Sequence, residues 1–119
     1  MSQANNCTVA LNIESCMNFA NVTSTDNKNC GGIHGANTSS KATIKIINCG
    51  NTGNVSGTTE SATITGWIGS NSGHQITNCW NSGTLNGVSG TANFYRDDKS
   101  STTVTNIYNK YIIKDKNNL

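Results

Sequence analysis

At 119 residues with a formal net charge of +2, the chain has the length of one domain and too little positive charge to argue for nucleic acid. Its hydrophobic share, 34%, is below the roughly 45–50% usual for a globular domain on a count that includes Gly, yet only 12% is charged, which excludes a charge-swollen disordered chain. The balance is Asn, Thr, Ser and Gly, there is no proline, and no 18-residue apolar stretch offers a membrane span.

From the N-terminus, Met1-Ser2-Gln3-Ala4-Asn5-Asn6 lacks the basic and apolar regions of a secretory signal, so the expectation is a piece of a longer exported protein rather than an intracellular chain. A phrase then begins that recurs through the chain. Its first copy, Ile13 to Val22, contains Ile13, Cys16, Asn18 and Val22. The second runs Ile46-Ile47-Asn48-Cys49-Gly50-Asn51-Thr52-Gly53-Asn54-Val55, and the third Ile76-Thr77-Asn78-Cys79-Trp80-Asn81-Ser82-Gly83-Thr84-Leu85. The fourth, Val104 to Ile113, has Ile107 for Cys and Tyr111 for Gly, as a terminal repeat would. The marker asparagines Asn18, Asn51, Asn81 and Asn109 are separated by 33, 30 and 28 residues. A period in this range marks a solenoid.

Between these phrases lie Gly-rich ones: Gly32-Ile33-His34-Gly35-Ala36-Asn37, its match Gly66-Trp67-Ile68-Gly69-Ser70-Asn71, and a degenerate copy at Gly90 to Tyr95. On that alignment Thr38-Ser39-Ser40-Lys41 reads as a loop insertion at one edge. Helical apolar spacing is missing while short β-branched runs recur. The predicted fold is all-β: a single, short right-handed β-helix-like solenoid of three to four coils over 1–119, with repeats near 11–44, 45–75, 76–103 and 104–115.

In such a stack, equivalent positions sit about 4.8 Å apart on successive coils. Three inward apolar ladders follow: Ile13, Ile46, Ile76, Val104; Cys16, Cys49, Cys79, Ile107; and Val22, Val55, Leu85, Ile113. Asn18, Asn51, Asn81 and Asn109 are expected to stack as an amide ladder, and Gly53 and Gly83 to supply positive φ at sharp corners. The segment should be marginal alone, a monomer whose open ends invite end-to-end self-association as concentration rises.

The run Gly66-Trp67-Ile68-Gly69-Ser70-Asn71-Ser72-Gly73 followed by Ile76-Thr77-Asn78-Cys79-Trp80-Asn81-Ser82-Gly83 resembles the GLUG repeat, best over residues 62–90 and more loosely over 30–60. That family occurs in large bacterial surface proteins, including adhesin-like chains and the non-catalytic part of some immunoglobulin-cleaving metallopeptidases. The resemblance implies an extracellular or cell-surface module whose partners are flanking domains of a parent protein and a host protein or glycan. It transfers no catalytic residue.

The remaining chemistry-bearing residues give no active site. Three of the five cysteines share a repeat position, which reads as small buried apolar residues rather than disulfide partners; a Cys7–Cys30 bridge has no support from spacing. His34 and His74 read as exposed loop histidines, and Cys30 with His34 falls short of four zinc ligands, so no metal and no cofactor are expected. The six acids form no facing pair at the separation glycoside hydrolysis needs, and Arg96-Asp97-Asp98-Lys99 reads as a solvated loop. The chain is therefore expected not to be an enzyme.

The aromatics are the binding candidates. Trp80 and Tyr108 should point outward on adjacent coils, and Trp67 and Tyr95 should lie near each other on another face. Two classes of function stay open: a structural spacer or adhesive segment, and a carbohydrate binder using these rings. Ice binding and a polysaccharide-lyase fragment rank lower; Thr63-Ile64-Thr65 and Thr103-Val104-Thr105 fall at different repeat positions and make no regular array.

Overall fold

The computed structural model describes residues 3–4, 10–25, 29–37, 42–57, 61–69, 73–86, 94–97 and 102–110. These residues form short strands of two to four residues and no helix. The strands fall into five sheets, visited in order along each coil. The first sheet holds Gln3–Ala4, His34–Asn37, Thr65–Ile68 and Tyr95–Asp97. The second holds Leu11–Glu14, Ile44–Ile47, His74–Thr77 and Thr102–Thr105, and the third Met17–Asn18, Gly50–Asn51, Trp80–Asn81 and Tyr108–Asn109. Val22–Ser24, Val55–Gly57 and Leu85–Asn86 make the fourth; Cys30–Gly31 and Ser61–Ala62 make the fifth. Every pairing is parallel, and neighbours in a sheet come from successive coils. The fold is all-β and β-helix-like.

The period of two in each strand decides what is buried. In Ile44–Ile47 the two residues Ile44 and Ile46 are buried while Lys45 and Ile47 are half-buried, and His74–Thr77 repeats the pattern. Ile13, Ile46, Ile76 and Val104 stand in register as expected. Val22, Val55 and Leu85 do the same, and Ile113 lies outside the described residues. Cys49 and Cys79 are buried in the middle coils, but Cys16 is exposed and Ile107 is 39% exposed. Their register is inward; they are uncovered because they stand on the outermost coils.

A further ladder was hidden by the Gly-rich phrases. Ile33 N donates to Ile64 O at 3.0 Å and Ile64 N to Phe94 O at 2.9 Å, so Ile33, Ile64 and Phe94 stack. With Ile68 they pack against Ile44, Ile46 and Ile76 in the main core, while Cys30, Val55 and Leu85 form a smaller one. The register is Thr65 against His34 and Thr65 against Tyr95. The expected matches of Gly32 with Gly66, and of Gly90 to Tyr95 with Gly66 to Asn71, are thus corrected. Gly35 and Gly66 are the true counterparts, because a Cβ on Gly66 would sit 2.6 Å from the Gly35 carbonyl oxygen. The Thr38-Ser39-Ser40-Lys41 insertion lies outside the described residues; on the corrected register nine steps separate Asn37 from Ile46 and eight separate Ile68 from Ile76.

Gly53 and Gly83 also act differently from expectation. Among the described glycines only Gly73 has positive φ, at 85°. Gly53 and Gly83 are needed for close approach: a Cβ on Gly83 would collide with the Gly53 carbonyl, and one on Gly53 with that of Ala20.

The amide ladder forms. Asn18 Nδ2 donates to Asn51 Oδ1 at 2.7 Å, Asn51 Nδ2 to Asn81 Oδ1 at 2.8 Å, and Asn81 Nδ2 to Asn109 Oδ1 at 2.9 Å. Each amide also turns its own chain, with Nδ2 of Asn18, Asn51 and Asn81 bonded to the carbonyls of Ala20, Gly53 and Gly83. Asn51 and Asn81 are fully buried. A buried polar group left without its partner costs about 1–3 kcal/mol. Asn81→Ala should therefore lower unfolding stability by about 3 kcal/mol in urea titration, and Asn109→Ala, at the end of the ladder, by under about 1 kcal/mol. Equal losses at the two positions would mean that the ladder is not their source.

Candidate functional site

The surface richest in unusual features is the corner between the second and third sheets. Ser15, Asn48, Asn78 and Asn106 turn this corner with φ of 55°, 54°, 52° and 52°. Asn tolerates this left-handed conformation better than most non-Gly residues. The side chains form a second, exposed ladder: Asn78 Nδ2 to Asn48 Oδ1 at 3.1 Å and Asn106 Nδ2 to Asn78 Oδ1 at 2.8 Å.

Each corner is followed by the cysteine column, and the reason for cysteine is more than size. The thiols of Cys16, Cys49 and Cys79 lie 3.3, 3.2 and 3.2 Å from the carbonyl oxygens two residues back, at Glu14, Ile47 and Thr77. A weak S–H donor thus adds to a carbonyl that, at Ile47 and Thr77, also accepts a coil-to-coil bond from Ser15 N and Asn48 N, both at 3.0 Å. Cys16, Cys30, Cys49 and Cys79 are all free thiols, and Cys7 lies outside the described residues. Burial pushes the Cys30, Cys49 and Cys79 thiols upward, against thiolate formation.

The next position outward holds Met17, Gly50, Trp80 and Tyr108 in register. Trp80 does not stand clear of the surface. A Cβ on Gly50 would meet Trp80 Nε1 at 2.6 Å and Met17 Sδ at 2.7 Å, so the indole lies across the bare glycine backbone and is half-buried. Tyr108 is 64% exposed beside it. Phe19, 74% exposed, and Met17, 41% exposed, extend this apolar strip on the first coil, and neither is marked by the repeat in the sequence.

Trp67 and Tyr95 do not form a second platform. Tyr95 is opposite Thr65 and packs against the main core. Trp67 is covered by Arg96, whose Cζ stands 5.0 Å from the ring centroid, a cation–π distance. Arg96 Nη1 also donates to Asn29 Oδ1 at 3.0 Å and to Gly66 O at 2.9 Å. Arg96 and Asp97 thus belong to a strand rather than a solvated loop, because the guanidinium ties three segments together; Asp98 and Lys99 lie outside the described residues.

The histidines overturn expectation most clearly: both are fully buried. His74 Nδ1 accepts from Ile44 N at 3.0 Å, so Nε2 carries the proton and donates to Gly69 O, also at 3.0 Å. His34 Nδ1 is 2.7 Å from Thr65 Oγ1, and its Nε2 is buried without a partner among the described residues. The sequence held a signal for this: His74 is two residues before Ile76, and period two puts both on the inner face. Thr63 and Thr65 are buried as well, which removes them from any outward threonine array.

Among the described residues no group of three His, Cys, Asp or Glu side chains is arranged to hold a metal ion, and no helix is long and apolar enough to cross a membrane. Compared with protein-family models, curated proteins and solved structures, the chain finds no match in any of the three.

Burial, and after it the charge of His74, holds His34 down to about 4 from its ordinary 6.5. The unfolded chain takes up this proton near pH 6.5 and the folded one only near pH 4. Stability from this group is therefore complete above about pH 6.5, falls as the pH drops to about 4, and levels off below, a loss of about 3 kcal/mol. The urea midpoint should follow that course, and His34→Thr, which installs the residue that faces it from the next coil, should flatten it. An unchanged pH profile in the variant would remove His34 as the cause. Thiol labelling of the folded protein should modify Cys16 and leave Cys49 and Cys79 unmodified until denaturant is added, as mass spectrometry of the peptides would reveal.

Proposed function

We propose that this chain is a non-catalytic repeat module of a cell-surface protein: a right-handed β-solenoid that acts as a spacer or adhesive segment between flanking domains. One observation carries the reading. The polar side chains that chemistry would use, Asn51, Asn81, His34, His74, Cys49 and Cys79, are buried, and their hydrogen bonds join one coil to another or tie a coil to its own backbone. They hold coil to coil and coil to backbone rather than standing free at the surface. Right-handed coiling is the hand that connections between parallel strands take in about 98% of cases. The resemblance to GLUG repeats, carried by residues 66–73 and 76–83, supports the surface location and the absence of a catalytic role.

A second reading keeps one observation in its favour. Trp80 and Tyr108 neighbour each other on adjacent coils, and Tyr108 offers an exposed ring edge beside the exposed asparagine ladder. Sugar rings stack on such surfaces while amides bond their hydroxyls. The half-buried pose of Trp80 over Gly50 favours the spacer, since a ring that fills a gap in the coil below has a structural reason to be there.

A glycan-array screen of the purified chain beside Trp80→Ala and Tyr108→Ala tests both readings. The expected result is no reproducible binding by any of the three, with the β-rich circular dichroism spectrum retained. Binding by the parent chain that either variant loses, with its fold intact, would replace the spacer with a carbohydrate-binding module.

A further inference from the structure

The two ends of the stack are unlike each other, and they are complementary. The first coil presents Leu11–Glu14, Met17–Asn18 and Val22–Ser24 as edge strands, and the last presents Thr102–Thr105 and Tyr108–Asn109. Between coils the backbone repeats one step. Cys16 O accepts from Gly50 N at 2.9 Å, Cys49 O from Trp80 N at 3.0 Å, and Cys79 O from Tyr108 N at 3.0 Å. The next acceptor in that series is Ile107 O, and the donor standing at the equivalent place on the first coil is Met17 N. A second series runs Asn18 O to Thr52 N, Asn51 O to Ser82 N and Asn81 O to Lys110 N, at 2.9, 2.9 and 2.8 Å. Its next members are Asn109 O and Phe19 N.

The side chains share this polarity. Every inner-ladder amide donates Nδ2 toward the later coil, so the series ends with Asn109 Nδ2 as donor at one end and Asn18 Oδ1 as acceptor at the other. The exposed ladder runs the opposite way, from Asn106 to Asn78 to Asn48, leaving Asn106 Oδ1 as the acceptor at the last coil. Ser15, a hydroxyl donor with the same left-handed φ, holds that corner on the first coil. The apolar ladders end in step as well, with Val104 and Ile107 at one end and Ile13 and Cys16 at the other, all half-buried or exposed. The surplus apolar exposure of the described residues gathers at these ends and beside them: Ile107 39%, Tyr108 64%, Met17 41% and Phe19 74%.

We propose that these ends form a head-to-tail interface with a second copy of this chain, the last coil of one copy seated on the first coil of the next. The seat continues the coil-to-coil contact already made within the chain: Val104 on Ile13, Ile107 on Cys16, Tyr108 on Met17 and Asn109 on Asn18. A contact between two different surfaces of one molecule is heterologous, and with no closing rotation it propagates into open filaments rather than stopping at a dimer. The inference rests on the stack itself and holds whether the module is a spacer or a sugar binder.

Complementary blocking of the two ends tests it on the whole chain. Ile107→Lys obstructs the tail and Cys16→Arg the head, at inward-register positions left exposed on the end coils, and a retained β-rich circular dichroism spectrum shows that each coil keeps its packing. If Cys16→Arg disturbs the first coil, Phe19→Lys serves as the head block. Sedimentation is followed from about 10 µM to about 1 mM, the range of weak association. The parent chain should rise in average mass with concentration, each variant alone should stay monomeric, and their equimolar mixture should form a dimer and nothing larger. A parent chain that remains monomeric throughout overturns the proposal. So does a single variant that still associates, which would indicate a symmetric contact, or a mixture that fails to dimerise.

Discussion

The hydrogen bond from one asparagine amide to the next, repeated coil by coil, is the constraint on which the rest of this structure depends. A chain with so few apolar residues cannot fix its register through hydrophobic burial alone, since one isoleucine over another fits nearly as well over a third. An amide is more demanding. Asn51 and Asn81 are fully buried, each must find both a donor and an acceptor, and only the same residue one coil away supplies them while its own turn takes the remaining bond. With that column in place, the isoleucine ladder, the cysteine corner and the valine ladder fall into step on either side.

Much of the polarity in the interior then acquires one explanation. A narrow coil has corners, and polar side chains gather there to serve backbone groups. The Cys49 and Cys79 thiols lie against carbonyls at one corner, His74 bridges an amide and a carbonyl at another, and Arg96 joins Asn29 and Gly66 across a third. These side chains bond backbone groups and one another at the turns of the coil. His34 is the exception, with one ring nitrogen bonded and the other buried without a partner among the described residues, and burial holds its pKa down to about 4.

How much of this was legible depended on whether a position was marked by a residue that could sit nowhere else. The Ile-x-Asn-Cys-x-Asn phrase gave register for the second and third sheets, because Asn18, Asn51, Asn81 and Asn109 repeat the same bonding requirement. The Gly-rich phrases misled. Gly32 and Gly35 are both small, and choosing the wrong one as the partner of Gly66 displaced the alignment by three residues and hid the Ile33, Ile64 and Phe94 ladder. The histidines are polar enough to suggest exposure, yet the spacing of His74 and Ile76 puts both on one face. The candidate aromatic site was legible as a register and not as a pose: Trp80 and Tyr108 do neighbour each other, but nothing in the sequence says that the indole lies down over Gly50 or that Arg96 covers Trp67.

The indole over Gly50 has a consequence for how such a chain can change. Met17, Gly50, Trp80 and Tyr108 share one column, and the ring of one occupies the space that a side chain on its neighbour would need. Where Trp80 meets Gly50, volume is therefore divided between the two coils, large above small, whereas Trp80 and Tyr108 are two large neighbours. A second indole in the place of Gly50 would meet the Trp80 ring in its present pose. At this position the outer wall is thus specified by the pair of coils that carry Gly50 and Trp80, and not by either one alone.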